Sequence, residues 1–336
     1  MLSPEWLTAA LGARYPGVRV AGATVVESRT GVASKVRFVI EYADRGDGSA
    51  PTALCAKGYF GPDGQQYGPT GQIEARFYGE LAPRLDVRCP ACAYSGTDPD
   101  TGHALLLLTD LIAAGASFPT ALDPYTLDRV AATLEQLARL HAADGNTFAS
   151  LDTSWLASRT DGYLNAMTAE RLQEQLDDGR ATVLGPELRD AARVRAAFRE
   201  IALRAAADPR GLIHGDTHAG NLYLTAEGAP GFLDWQLVQW GPWAIDVAYH
   251  IGAVLSVSDR EAHERALLEH YLDARRQHGG AAPSLAEAWD DYRAFLAYGY
   301  YLWGITQKVD RPIIIELITR LGSAVEAHES FDRLGV

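Results

Sequence analysis

The sequence predicts an α+β fold of two unequal lobes: a small antiparallel sheet carrying one helix, then a larger, mainly helical part. Three observations carry that reading. Short apolar runs bounded by turn residues fill the first third of the chain. Beyond Thr109-Asp110-Leu111 the composition shifts to Ala, Leu, Arg and Glu at helical spacing. One strand-loop-strand segment, Leu212 to Asp234, interrupts those helices. The single pass near Thr109 is the natural hinge, so the expected lobes are residues 1–108 and 109–336.

The elements follow in order. A short amphipathic helix spans about Ser3 to Leu11. Val18 to Ser28, Lys35 to Tyr42 and Thr52 to Tyr59 read as three antiparallel strands, with turns at Thr30-Gly31 and at Arg45-Gly46-Asp47-Gly48. From Gly71 to Leu85 the apolar residues Ile73, Phe77, Leu81 and Leu85 recur at helical spacing, and Glu74 and Tyr78 fall near one face. A strand pair follows near Ala91 to Ser95 and His103 to Leu108. The helices expected next are Pro124 to His141, Tyr163 to Leu176 and Pro186 to Ala206. After the interruption come Trp243 to Val254, Asp259 to Gln277, Leu285 to Trp303 and Pro312 to Ala327.

Composition narrows the function classes. At 336 residues, 47% hydrophobic and 22% charged, the chain has ordinary globular proportions. A formal net charge of -13 argues against nucleic acid or an anionic membrane as the main partner. No apolar run reaches bilayer length, and the start Met1-Leu2-Ser3-Pro4-Glu5-Trp6 lacks the layout of a secretion signal, so a cytoplasmic location is expected. Cys55, Cys89 and Cys92 are too few for a disulfide framework. Cys89-Pro90-Ala91-Cys92 has no second ligand pair for zinc, so these read as ordinary thiols. Lys35, Lys57 and Lys308 are the only lysines in an arginine-rich chain. Lys57 sits in the apolar run Ala53-Leu54-Cys55-Ala56-Lys57, where an unpaired ammonium would be costly, so it requires an anionic partner.

Leu212-Ile213-His214-Gly215-Asp216-Thr217-His218-Ala219-Gly220-Asn221, followed by Phe232-Leu233-Asp234, has the layout of a phosphoryl-transfer centre. Such chemistry depends on positioning and charge neutralisation: a carboxylate base on a rigid loop, beside two oxygen ligands for magnesium. Asp216 is the candidate base, and Asn221 and Asp234 are the candidate metal ligands. Lys57, held by Glu74, would contact the α and β phosphates. His214 reads as a structural residue of the loop and His141 as a packing residue. His250 and the histidines of the later helices read as exposed.

The chain resembles the aminoglycoside phosphotransferase and choline kinase superfamily of small-molecule kinases. HGDTHAGN with FLDWQ is similar to that family's catalytic loop and metal-binding Asp, LARLHA at Leu137 to Ala142 to the helix before its insert, and GQIEARFYGEL to its Glu-bearing helix. The stretch from Asp234 to Ile251 is most similar to the ecdysteroid-kinase-like branch. The resemblance implies a bilobal protein-kinase-like fold with an N-terminal nucleotide-binding lobe and a C-terminal catalytic lobe. It also implies ATP and Mg2+ as cofactors and transfer of the γ-phosphate to a hydroxyl of a small molecule. Carried onto this sequence, it gives Asp216 as base, Asn221 and Asp234 as magnesium ligands, and Lys57 with Glu74 as phosphate clamp. Thr109 to Leu111 would offer backbone groups to adenine, and Asp246 would brace the loop. Ser28-Arg29-Thr30-Gly31-Val32-Ala33-Ser34 departs from a GxGxxG loop, which leaves Ser34 and nearby amides to cover the phosphates.

Two other classes stay open from the residues alone. His214, Asp216 and His218 alternate and, with Asp234 and His250, could form a metal-dependent hydrolase site. A non-catalytic nucleotide-binding protein is the other. For the acceptor, the expected surface is the helical lobe, where Trp240, Trp243, Trp289, Tyr292, Phe295, Tyr298, Tyr300, Tyr301 and Trp303 concentrate, most of them as core. Glu287, Asp290 and Asp291 could hold a polycationic sugar or simply form a solvated helix face. The branch resemblance favours a less polar alcohol, and the sequence leaves the oligomeric state open.

Overall fold

The structure is a computed structural model that describes residues 2–31, 33–60, 68–207 and 211–336. Helix α1 (Pro4–Gly12), capped by the Ser3 hydroxyl, leads into strands β1 (Val18–Arg29), β2 (Ser34–Arg45) and β3 (Ala53–Gly58). Helix α2 (Gly68–Arg76) continues through a wider turn, Phe77–Leu81, and a tight one, Ala82–Arg84, before β4 (Cys92–Thr97) and β5 (Ala104–Thr109). The five strands form one antiparallel sheet in the order β1-β2-β3-β5-β4.

Strand alternation decides how this sheet is covered. Leu105 and Leu107 of β5 point into a cluster with Leu7 and Leu11 of α1 and with Phe38 and Leu54. Ala104, Leu106 and Leu108 point the other way, against Ala75, Phe77 and Tyr78, and that cluster runs on without a break into the helical part. A strand apolar at every position is thus explained by burial on both faces.

The helical part comprises α3 (Leu127–Ala142), α4 (Thr160–Ala166), α5 (Ala169–Gln175), α6 (Ala191–Ala207), α7 (Ala244–Val254), α8 (Val257–Gln277), α9 (Leu285–Ile305), α10 (Arg311–Ala327) and the short α11 (Ser330–Arg333). Between α6 and α7 lie two small antiparallel pairs, β6 (Gly211–Ile213) with β9 (Gln239–Gly241), and β7 (Leu222–Leu224) with β8 (Pro230–Phe232). Helix α9 opens with a Ser284/Glu287 capping box and is buried almost all round from Tyr292 to Gly304. No helix among the described residues is long and apolar enough to cross a membrane.

Most predicted elements are present within a few residues, and two helices differ. The stretch predicted as one helix from Tyr163 is two, because Met167 is extended (φ -125°, ψ 111°) and the Thr168 hydroxyl caps α5 by accepting from the Arg171 amide. The helix predicted from Pro186 begins at Ala191 instead, where the Asp190 carboxylate accepts the amides of Ala192 and Arg193. In both cases a capping side chain stops a continuous apolar period.

Candidate functional site

Lys57 projects from the middle of the sheet and is 6% exposed. Its Nζ lies 2.9 and 2.7 Å from the two carboxylate oxygens of Glu74 on α2 and also pairs with Asp234 Oδ1. Burial alone would depress the lysine, but Asp234 and Glu74 hold it charged, well above its ordinary range. Burial raises the Glu74 carboxyl, with Lys57 opposing. At Asp234 the balance is reversed: against the push of burial, Lys57 draws the carboxyl down to about 2. Asp234 is a non-glycine residue in left-handed backbone (φ 57°, ψ 59°), a conformation that costs about 1–2 kcal/mol and persists only where the surroundings impose it. What imposes it is the next residue. Trp235 is fully buried and stacks on Phe77, directly after α2, with centroids 3.8 Å apart, so the Glu74 helix and the Asp234 corner are locked together.

The loop after β6 carries Asp216. Gly215 has φ +82°, and a Cβ there would lie 2.7 Å from the Leu237 carbonyl, so only glycine fits between His214 and Asp216. Asp246, fully buried, accepts the amides of His214 (2.7 Å) and Gly215 (2.8 Å) and meets His141 Nε2 at 3.1 Å. His214 accepts the Asp216 amide on Nδ1 and donates from Nε2 to the Leu233 carbonyl, tying the loop to the Asp234 strand. The Asp216 carboxylate receives two donors: Tyr249 Oη at 3.1 Å on Oδ1, and Asn221 Nδ2 at 2.8 Å on Oδ2. Trp303 Nε1 in turn donates to Tyr249 Oη over 2.7 Å.

These contacts leave oxygens available. Asn221 uses only its Nδ2 on Asp216, and Asp234 uses only Oδ1 on Lys57, so Asn221 Oδ1 and Asp234 Oδ2 carry no hydrogen bond among the described residues. Two hard oxygen donors flanked by a carboxylate suit magnesium, which takes few protein ligands and completes its shell with phosphate and water. The hydrolase arrangement does not form. Both ring nitrogens of His214 are engaged, His250 is fully buried with Nδ1 donating to the Thr217 carbonyl, and no group of three or more His, Cys, Asp or Glu among the described residues is disposed to hold a metal.

Two cavities meet at Lys57 and Asp234. The smaller, about 320 Å³, is lined by Cys55, Leu108, Thr109, Leu111, Ile112 and Phe118 among others. At its edge the Thr109 amide bonds to the Ala91 carbonyl and the Asp110 amide to the Ala53 carbonyl, whereas the Leu111 N–H has no backbone partner among the described residues. The larger cleft, about 880 Å³, contains Asp216, Asn221 and Asp234 and extends to Tyr163, Met167 and Trp303. Ser34 lines neither cavity. Its neighbours Ala33 and Lys35 line the larger one, because Lys35, paired across the ladder with Lys57, shares the lysine's face of the sheet and Ser34 takes the other.

A family model described as the phosphotransferase enzyme family matches residues 62–294. The chain belongs to that family. The phosphotransferase shares 13% identity with a Plasmodium vivax ethanolamine kinase, over 91% of this chain and 81% of that one, with a TM-score of 0.52, a likeness of fold. A macrolide 2'-phosphotransferase from Brachybacterium faecium is 20% identical, covering 98% and 97% of the two chains at a TM-score of 0.47. A choline kinase from Streptococcus pneumoniae is 12% identical, covering 97% and 98%, at 0.48. No curated protein sequence matches the chain. With its five-stranded antiparallel sheet, its helical C-terminal part and the fold likeness to the ethanolamine kinase, the phosphotransferase has the bilobal kinase-like fold its sequence predicts.

Asp246 braces the loop as the resemblance implies, and several other site features are not read from the sequence. Tyr249 and His250 join Asp246 on one face of α7, and the three bond to Gly215, Asp216 and Thr217 of the loop. His250, expected to be exposed, is buried and pushed down to about 4 by that burial. Asp110 chelates the Arg37 guanidinium with both oxygens at 3.0 Å beside the smaller cavity. Of the nine aromatic residues concentrated in the helical lobe, expected mostly as core, Trp303 alone lines the cleft. Burial pushes the free Cys89 and Cys92 thiols up to about 12, which keeps them protonated and unreactive.

Proposed function

We propose that this phosphotransferase moves the γ-phosphate of ATP to a hydroxyl of a small molecule, in the cytoplasm where ATP is available. The carrying observation is that Lys57, bonded to Glu74, meets Asp234 in one cleft that also holds Asp216 and Asn221, with the three ion-paired residues coming from separate segments. The division of labour follows the proposed lobes, 1–108 for the nucleotide and 109–336 for catalysis and acceptor. Thr109 and Leu111 border the base, with the unpaired Leu111 N–H as the donor. Lys57, oriented by Glu74, meets the α and β phosphates, and Lys35 stands in for the absent glycine-rich loop. Asn221 and Asp234 would hold Mg2+, which when bound would supply charge neutralisation for the transferring phosphoryl group. Asp216 takes the hydroxyl proton, its carboxylate oriented by Tyr249 and Asn221.

The acceptor is read as a less polar alcohol, on the likeness of Asp234 to Ile251 to the ecdysteroid-kinase-like branch. Glu287, Asp290 and Asp291 are exposed near the start of α9, whereas Trp303, near its end, lines the cleft. Sixteen residues of helix, about 24 Å, separate Glu287 from Trp303. The decisive experiment is Asp216→Asn with ATP and magnesium, using a screen of hydroxylated metabolites and antibiotics for ADP release. The expected outcome is loss of turnover with ATP affinity retained; a wild-type rate removes Asp216 from the role of base.

A further inference from the structure

All three lysines of this chain line the larger cleft. Lys35 and Lys57, cross-strand neighbours, belong to the sheet side where phosphates would lie. Lys308 does not. It lies in the connection between α9 and α10, on the helical side of the cleft, and Arg171 of α5 joins it there. Both are exposed, and the Arg171 guanidinium has no hydrogen-bond or ion-pair partner among the described residues.

The same end of the cleft is mostly apolar, built by Met167, Leu302, Trp303, Ile305 and Ile313, with the uncharged polar residues Thr306 and Gln307 beside Lys308. Acids are scarce. In a chain with 43 Asp and Glu against 30 Lys and Arg, the only carboxylates lining this cleft among the described residues are Asp216 and Asp234, both assigned above to the transfer itself. Glu170 and Asp310, next or near in sequence to the two cations, are not among the lining residues. A cleft that collects cations in an acidic protein attracts anions and repels a polycation.

We infer that the acceptor is an amphipathic alcohol that carries an anionic group, its apolar body against Trp303 and Met167 and its anion on Arg171 and Lys308. This rests on the proposed kinase function and names the substrate class of that site. In the transfer, the acceptor oxygen forms its bond to the γ-phosphorus as the bond to the ADP oxygen breaks, and the hydroxyl proton passes to Asp216. The two cations lie outside this exchange and act on acceptor affinity.

The test is calorimetry on the wild-type protein in magnesium with a non-hydrolysable ATP analogue. Two sets of matched alcohols serve as probes: 4-(hydroxymethyl)benzoate with its amide and its aminomethyl counterpart, and 10-hydroxydecanoate with its amide and 10-aminodecanol. The carboxylate is expected to bind about five- to tenfold more tightly than its amide, with the amine weakest. Lys308→Glu and Arg171→Glu, both at exposed positions, are expected to invert that order. An amine that binds at least as well as its carboxylate, an affinity indifferent to charge, or no binding by any probe beside a bound nucleotide overturns the inference. The analogue is titrated first: if it does not bind, the ATP reading fails and the inference falls with it, whereas bound analogue with no charge preference removes the inference alone.

Discussion

Tyr249→Phe separates positioning of the proposed base, Asp216, from simple packing. The phenolic oxygen donates to Asp216 Oδ1 over 3.1 Å and accepts from Trp303 Nε1 over 2.7 Å, inside a fully buried environment. Deleting it removes a hydrogen bond to a carboxylate, worth about 1.5–3 kcal/mol, and strands the indole N–H at a cost of about 1–3 kcal/mol. The ring itself remains, so no cavity larger than one oxygen opens. The second loss falls on stability, read as a lower urea midpoint with an unchanged slope. The first falls on the rate. With Asp216 held only by Asn221, kcat is expected to drop about ten- to a hundredfold while the KM for ATP stays within about twofold. Coupled detection of ADP release, with an accepted alcohol or with water as acceptor, measures both constants. A variant that loses stability but keeps wild-type kcat refutes the positioning role and leaves Tyr249 as a packing residue.

Asp246→Asn exchanges a carboxylate accepting two loop amides for a group that presents N–H to one of them, so stability should fall by about 2–4 kcal/mol and turnover with it. Chemical denaturation checks the first and ADP release the second; wild-type values for both would show that the loop keeps its shape without the brace. His250 titrates near 4 when folded against an ordinary value of 6.5, because burial disfavours its charged form. Below about pH 6.5 the unfolded chain takes up a proton that the folded one refuses, so its contribution is complete above pH 6.5 and declines toward pH 4 by about 3 kcal/mol in total. His141 and His218, also lowered by burial, steepen the same acid slope. Urea midpoints from pH 7 to 5 should therefore fall less steeply in His250→Asn than in wild type. Parallel slopes would mean that His250 is already solvated.

How much of this was legible follows from how local each signal is. Lys57 announces itself as the charged residue in an otherwise apolar strand, and its need for an anion points to the acid of the next helix, which is the Glu74 found there. The loop residues Gly215, Asp216 and Asn221 lie within one short stretch, so their pattern survives in the sequence. The α7 contacts do not read so easily. Asp246, Tyr249 and His250 lie in a helix buried at every position, where period no longer distinguishes the face toward the loop from the face toward α9. Ser34 illustrates the opposite case. A one-residue alternation sends it away from the cleft and Lys35 into it, a distinction that needs the register with Lys57.

The central claim is that oxygens of the helical part and the ammonium of the sheet together receive a magnesium nucleotide. Calorimetric titration of ATP, with and without magnesium, into wild type and Asp234→Asn tests it most directly. Magnesium should tighten ATP binding in wild type, and that gain should vanish in the variant, whose remaining affinity comes from Lys57, Lys35 and the base cavity. An identical magnesium gain in both proteins would contradict the account.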